Sequence, residues 1–281
     1  VNSIVTELVL SSSGDIYLGG SSDDGGGYAS FVGKVTSGGV VDATFGTSGA
    51  TVFDEGAGAD SVGKVILDEA TGKIYAYSGS TSGCGVSSIW KLNLSDGSFD
   101  TGFDGDGRLS IDEEDMGTTN NCITFRGGLA RQSDGSLIVA TTITIDPSYA
   151  SNTDKDIGVL RYSSGGVLDT SFNDSLGYYN REILIGDGDS LIYDVEVDSN
   201  DNIYIMGGFN DGNNFSNPYL VRLTSSGSVD TSFSADGLTT FGLGTLATPQ
   251  DFVLDILERP VITGTYKHYS LGDHFLIRAL P

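Results

Sequence analysis

Short apolar stretches bounded by Gly, Asp, Asn and Ser recur along the whole chain, and no segment keeps a helical period for long. Five of these stretches share one pattern, a tight turn running into a short apolar strand. They are Ser13-Gly-Asp-Ile-Tyr-Leu-Gly19, Thr71-Gly-Lys-Ile-Tyr-Ala-Tyr77, Asp134-Gly-Ser-Leu-Ile-Val-Ala140, Asp201-Asn-Ile-Tyr-Ile-Met-Gly207 and Arg259-Pro-Val-Ile-Thr-Gly264. Each reads as the turn and second strand of a β-hairpin. In the first copy the pattern predicts strand A over Ile4 to Leu10, B over Ile16 to Gly19, C over Ser30 to Val35 and D over Ala50 to Asp54.

A second phrase follows each hairpin. It reads Lys34-Val-Thr-Ser-Gly-Gly-Val-Val-Asp-Ala-Thr-Phe45, then Lys91 to Phe103, Arg161 to Phe172 and Arg222 to Phe233, and a fifth copy starts at Phe275-Leu-Ile-Arg278. Its Asp recurs at Asp42, Asp100, Asp169 and Asp230, at spacings of 58, 69 and 61 residues. That period is too long for a helical hairpin and suits a four-stranded unit. Repeats therefore fall at about 1–60, 61–121, 122–188, 189–247 and 248–281.

These phrases resemble the bacterial delta-60 repeat, an Asp-Gly hairpin, an apolar strand ending in Gly, an Arg-containing strand and then Gly-x-Leu-Asp-x-x-Phe-Gly. The resemblance covers essentially the whole chain, and it implies a surface or secreted protein without implying a common chemistry. Two departures stand out: the Gly after the Phe survives only at Gly46, and the fifth hairpin carries Glu258-Arg259 in place of Asp-Gly.

Units that cannot bury their own faces must stack, and radial stacking protects strand edges best. The expected fold is all-β, a single five-bladed β-propeller domain over 1–281, built of antiparallel four-stranded blades with the last blade incomplete. A stacked solenoid is the alternative. Within each repeat the Asp is expected to form a local turn, the Phe to plug the gap between blades, and the cation at Lys34, Lys91, Arg161, Arg222 and Arg278 to pair with an acidic neighbour.

Composition sets limits on partners. A formal charge of −24, from 38 acidic against 14 basic residues, argues against nucleic acid and an anionic membrane. No apolar run reaches the roughly 18 residues that span a bilayer, and residues 1 to 20 lack the form of a signal peptide. The chain reads as a domain tethered to others and displayed outside a bacterial cell. Cys84 and Cys122, on adjacent blades, are expected to form a disulfide there, with two free thiols as the alternative.

Function is expected where the repeat lets go, on the face of B-to-C loops and D-to-A connections. Tyr266-Lys-His268-Tyr269 with His274, and Tyr149 in the longest loop, offer aromatic rings among polar groups, the surroundings a sugar ring stacks into. Ligand recognition follows as the expectation, the partner being a surface glycan or a cell-surface protein. A second site type lies in Asp104-Gly-Asp106, beside Asp112 to Asp115, and in Asp187-Gly-Asp189, oxygen ligands of the kind calcium takes, although the EF-hand pattern is not met. The runner-up is a glycan-cleaving enzyme using Asp194 and Asp251, at equivalent A-strand positions where the other repeats have Thr6, Lys64 and Gly127. A spacer without a ligand is the third reading.

Overall fold

The computed structural model describes residues 2–23, 27–54, 60–80, 86–116, 122–144, 155–175, 178–181, 190–210, 216–243, 247–268 and 271–279. These form five antiparallel sheets, the blades of a β-propeller. Blade 1 is β1 (Ser3–Leu10), β2 (Ile16–Asp23), β3 (Tyr28–Val35) and β4 (Ala50–Phe53), and blade 2 is β5 (Asp60–Asp68), β6 (Lys73–Ser80), β7 (Ser87–Asn93) and β8 (Arg108–Ile111). Blade 3 is β9 (Cys122–Arg131), β10 (Leu137–Thr144), β11 (Lys155–Tyr162) and β12 (Tyr178–Arg181). Blade 4 follows with β13 (Ser190–Val197), β14 (Ile203–Asn210), β15 (Ser216–Leu223) and β16 (Leu238–Thr240). The fifth blade has three strands, β17 (Ala247–Leu254), β18 (Pro260–His268) and β19 (Leu271–Arg278).

Contacts divide the chain into two compact units. One holds Val1–Asp112, Ile123–Phe125 and Ser164–Val167; the other holds Glu113–Cys122, Arg126–Ser163 and Leu168–Pro281. In the first, Tyr17, Val32 and Phe53 of blade 1 pack on Val62, Val65 and Leu92 of blade 2. In the second, blade 3 meets blade 4 through Ile138, Val159, Ile192 and Val195, and blade 4 meets blade 5 through Met206, Leu220, Phe252 and Ile262. Each of these clusters is shared by two blades, so the apolar residues of one strand face are buried by a neighbour.

The recurring Phe does plug these joints. Phe45 is fully buried, edge-on to Tyr17 with centroids 5.8 Å apart, and it lies beneath Gly97 in the following repeat's turn. The seat needs glycine twice over: Gly97 sits at φ +72°, and a Cβ there would stand 2.8 Å from the Phe45 ring. Gly166 repeats the arrangement over Phe103 (φ +89°, 3.2 Å), and Gly227 over Phe172 (φ +93°, 2.5 Å).

A second joint device lies in the A-to-B turns. The Ser12 backbone amide and hydroxyl both donate to the Glu69 carboxylate of the next blade, the amide at 2.7 Å. Ser133 donates its amide (2.7 Å) and hydroxyl (2.6 Å) to Asp201 in the same way, and the Ser199 amide donates to Glu258 at 2.8 Å.

Strand register corrects one expectation. Four of the inner strands carry a β-bulge, between Val5 and Glu7, Val62 and Lys64, Ile192 and Asp194, and Pro249 and Asp251. The residue opposite the fourth position of strand B is then Glu7, Lys64, Asp194 or Asp251, so the blade 1 equivalent of Asp194 is Glu7 and not Thr6. In blade 3 the residue four before the turn-opening Gln132 is Gly128, not Gly127. Pairing runs unbroken from each of these residues to its turn, so the slip lies in the turn: Asp201 and Glu258, not Asn202 and Arg259, hold the left-handed position of Gly14 and Gly135.

Candidate functional site

The phrase residues that could be mistaken for a site are consumed by the repeat. Asp42 Oδ1 accepts from the Thr44 amide and hydroxyl at 3.1 and 2.6 Å, while its other oxygen pairs with Lys34 at 3.0 Å. Asp169 binds Ser171 and Arg161, and Asp230 binds Ser232 and Arg222, in the same geometry. In blade 2, Asp100 pairs with Lys73 at 3.0 Å and Lys91 at 3.5 Å, and in blade 5 Arg278 approaches Asp255 at 3.7 Å. Each strand-C cation of blades 1 to 4 also lies over an aromatic face, Arg222 for example 4.8 Å from the Phe233 centroid and 5.5 Å from that of Tyr204. This is an Asx-turn locked by a cation and a ring.

The lock is electrostatic and so depends on pH. Hydrogen bonds from the Thr44 hydroxyl, from Lys34 and from the Thr44 amide hold the Asp42 carboxyl at about 2 against an ordinary 3.8. A carboxyl lowered on folding contributes stability that is present above its unfolded pKa and is lost as pH falls through the folded value. Asp42→Asn is therefore expected to be less stable than the parent at neutral pH, with the gap closing between pH 3.8 and about 2. Urea melts across that range check this, and a gap that persists at the acid end would refute it.

The candidates of the variable face separate in the structure. Tyr266 is half-buried in β18 opposite Asp273, whereas His274, exposed in β19, stands opposite Thr265. Paired residues share a face and neighbours alternate, so Tyr266 and His274 point to opposite sides of one hairpin. His268 pairs with Leu271 at the hairpin's end; its side chain, with Tyr269 and Tyr149, lies outside the described residues.

Among the acidic candidates, Asp194 is buried, and its Oδ1 accepts the Val195 amide at 2.8 Å just after the bulge. Blade 3 makes room for it with Gly128, where a Cβ would stand 2.6 Å from that oxygen. Asp251 is exposed and faces Thr263 across the strand pair. The two carboxylates thus occupy unlike environments, one locked in a blade joint and one in water. Asp104 and Asp106 are exposed in the turn after Phe103, and Asp106 caps the Arg108 amide at 2.9 Å. Asp115 accepts from the Tyr162 hydroxyl at 2.8 Å, while Asp187 and Asp189 lie outside the described residues. So does Cys84; Cys122 opens β9, with its side chain likewise outside them.

A site that the sequence did not announce lies within the first unit. Between blades 1 and 2 an open groove of about 610 Å³ runs past Thr44, Thr47, Thr51, Asp96, Ser98 and Phe99, with Val52 on its wall. One strand-D edge and the next repeat's C-to-D turn shape it, joined by the Gly46 amide donating to the Asp96 carbonyl (2.7 Å) and the Thr51 hydroxyl to the Gly97 carbonyl (2.7 Å). Phe99 is backed by Trp90 and Phe53, at centroid distances of 5.4 and 6.5 Å, which fixes its plane. The groove therefore offers one apolar wall, one carboxylate and a row of hydroxyls, and its volume is in the range that holds small ligands.

Residues 132–172 and 199–233 match the family model described as "Domain of unknown function (DUF5122) beta-propeller". No curated protein matches the chain. Among solved structures, the chain is similar to the polysaccharide lyase Uly1, at 14% identity and a TM-score of 0.51, over 98% of this chain and 57% of the lyase. It is also similar to the quinohemoprotein alcohol dehydrogenase of Comamonas testosteroni (12% identity, TM-score 0.43, 96% of this chain and 42% of that one). A third similarity is to the GH43 β-1,3-galactosidase BT3683 with galactodeoxynojirimycin (10% identity, TM-score 0.42, 96% and 88%). The chain thus spans little more than half of the lyase, and what the two share is the β-propeller fold.

Proposed function

We propose that the chain is a recognition module of an extracellular bacterial surface or fibre protein, and that it binds a glycan in the groove between blades 1 and 2. The observation that carries this reading is the lining of that groove. A pyranose has an apolar C–H face and an equatorial rim of hydroxyls, and it needs a fixed apolar wall beside directional partners. Phe99 and Val52 supply the wall; Thr47, the Asp96 oxygen that Ser98 does not bond, and the acceptor lone pairs of Thr44, Thr51 and Ser98, whose hydroxyls donate to Asp42, Gly97 and Asp96, supply the partners. Tyr266 and His274 offer no comparable convergence, since they leave their hairpin on opposite sides. Binding is favoured over cleavage because Asp194 is buried with its Oδ1 bonded to the Val195 amide, whereas its proposed partner Asp251 is exposed.

A glycan-array screen of the whole chain, with calcium and with chelator, tests this. Selective binding is expected, reduced at least tenfold by Asp96→Ala and by Thr47→Trp, which fills the groove, with no product released from the bound glycan. A signal lost instead in Tyr266→Ala would place the site on the variable loops, and a blank array would leave a spacer or a protein-binding role. Turnover of any glycan, abolished by Asp194→Asn, would replace the reading with an enzymatic one.

A further inference from the structure

Resting on the reading that a glycan occupies the groove between blades 1 and 2, we infer that this groove selects sugars with a free, protonated amine over N-acetylated, neutral and acidic ones. The hydrogen bonds of its lining run in one direction. The Thr44 hydroxyl donates to Asp42 at 2.6 Å, the Thr51 hydroxyl to the Gly97 carbonyl at 2.7 Å and the Ser98 hydroxyl to Asp96 Oδ1 at 2.7 Å. Those three protons are spent within the protein, so toward a ligand these oxygens are acceptors. Thr47 is the remaining hydroxyl of the lining, able to give or to take. A ligand that fits must therefore bring donors.

Charge points the same way. Among the described residues of the lining, Asp96 is the one charged group and none is basic. Lys34, on the far side of Asp42 from Thr44, is committed to Asp42 at 3.0 Å and Asp15 at 3.5 Å. Asp96 Oδ1 also accepts the Ser98 amide at 2.9 Å, which fixes the carboxylate and leaves Oδ2 to a ligand. The same two bonds hold the Asp96 carboxyl below its ordinary value, so it is ionised wherever an amine is protonated. An ammonium is a charged group that only donates, and a charge-assisted bond is about twice as strong as a neutral one. N-acetylation leaves a single neutral N–H and adds a carbonyl that needs a donor; a carboxylate or sulfate would set an anion beside Asp96. Phe99 and Asp96 line the groove from one turn, so a sugar stacked on the ring offers its rim substituents to the carboxylate.

The test is a binding series on the whole chain. Oligosaccharides of glucosamine, galactosamine and mannosamine are compared with their N-acetylated and plain hydroxyl counterparts, and with glucuronate-bearing and sulfated ones. The free-amine form is expected to bind roughly tenfold or more tightly than its counterparts. A chain of charge −24 also attracts cations over its whole surface, and two variants separate the groove from that surface. Asp96→Asn alters the net charge by a single unit and should erase the amine preference. Thr47→Trp leaves the charge alone, fills the groove and should abolish binding of every form. One variant exchanges an atom and the other adds bulk, so a fold defect in either, read from Tm, leaves the other to decide. An amine preference that survives in a folded variant is adsorption to the acidic surface and overturns the inference. A neutral, N-acetylated or acidic sugar that binds as tightly as its amine overturns it too, while keeping the glycan reading. No binding of any form removes both.

Discussion

Phe172→Ala is expected to destabilise the protein by about 3–5 kcal/mol, read from the urea midpoint at unchanged m-value. The ring is fully buried, lies beneath Gly227 and has the Arg161 guanidinium 5.0 Å from its centroid, so truncation leaves a hole in the blade 3 to blade 4 joint that neither strand can close. Gly227→Ala makes the complementary test. Its Cβ would meet the Phe172 ring at 2.5 to 2.9 Å, and the backbone is at φ +93°, so both a steric clash and conformational strain oppose it. We expect a loss of about 2–4 kcal/mol in the parent. In the Phe172→Ala background only the backbone part should remain, on the order of 1 kcal/mol. Equal costs in the two backgrounds would mean that the ring is not seated against that turn.

Arg222→Ala is the second large effect. The guanidinium donates from Nε to Asp230 at 2.7 Å, from one terminal nitrogen to the Tyr204 hydroxyl at 3.0 Å and from the other to Ser232 Oγ at 2.9 Å. Removing it leaves the largely buried Asp230 carboxylate without its cation, a loss of about 3 kcal/mol at neutral pH. Burial alone would raise the Asp230 pKa; bonds from Ser232 and Arg222 override it and hold the carboxyl below its ordinary value. Asp230 therefore contributes stability above the ordinary carboxylate range and loses it as pH falls below. The deficit of Arg222→Ala should accordingly shrink on acidification past 3.8, whereas a purely steric loss would be independent of pH. Arg222→Met, which keeps the stem over Phe233 but not the charge, should recover only part of the loss.

The repeat was legible because a turn and a short strand each occupy contiguous residues, so hairpins such as Ser13 to Gly19 announce themselves and strand C follows at a fixed distance. Lengths were less so: β2 runs on to Asp23 and β3 starts at Tyr28, shortening the loop expected over Gly20 to Ala29. The polar residues there alternate against the pleat without an apolar signal to betray a strand. Glu7 and not Thr6 matches Asp194 because Asp201 takes the left-handed turn position that Gly14 and Gly135 hold elsewhere, and a non-glycine residue there does not announce it. The groove was invisible for a different reason. Thr51 and Asp96 belong to different repeats, and only the stacking of two blades brings them to one volume. The turn glycines stood in every phrase from the start, but their purpose depends on a ring that lies tens of residues away.

The serine clasps between consecutive turns carry a consequence for how such a chain changes over generations. Ser12 with Glu69, Ser133 with Asp201 and Ser199 with Glu258 join different blades with the same parts, a backbone amide and a carboxylate. Where both ends of a unit present this fastening, as in blade 4, a segment duplicated or lost by unequal recombination within the repeat meets a neighbour it already fits. Loops such as the one after β2 travel with their unit when this happens. Copy number and surface can then drift together while every surviving joint remains one that has been selected before.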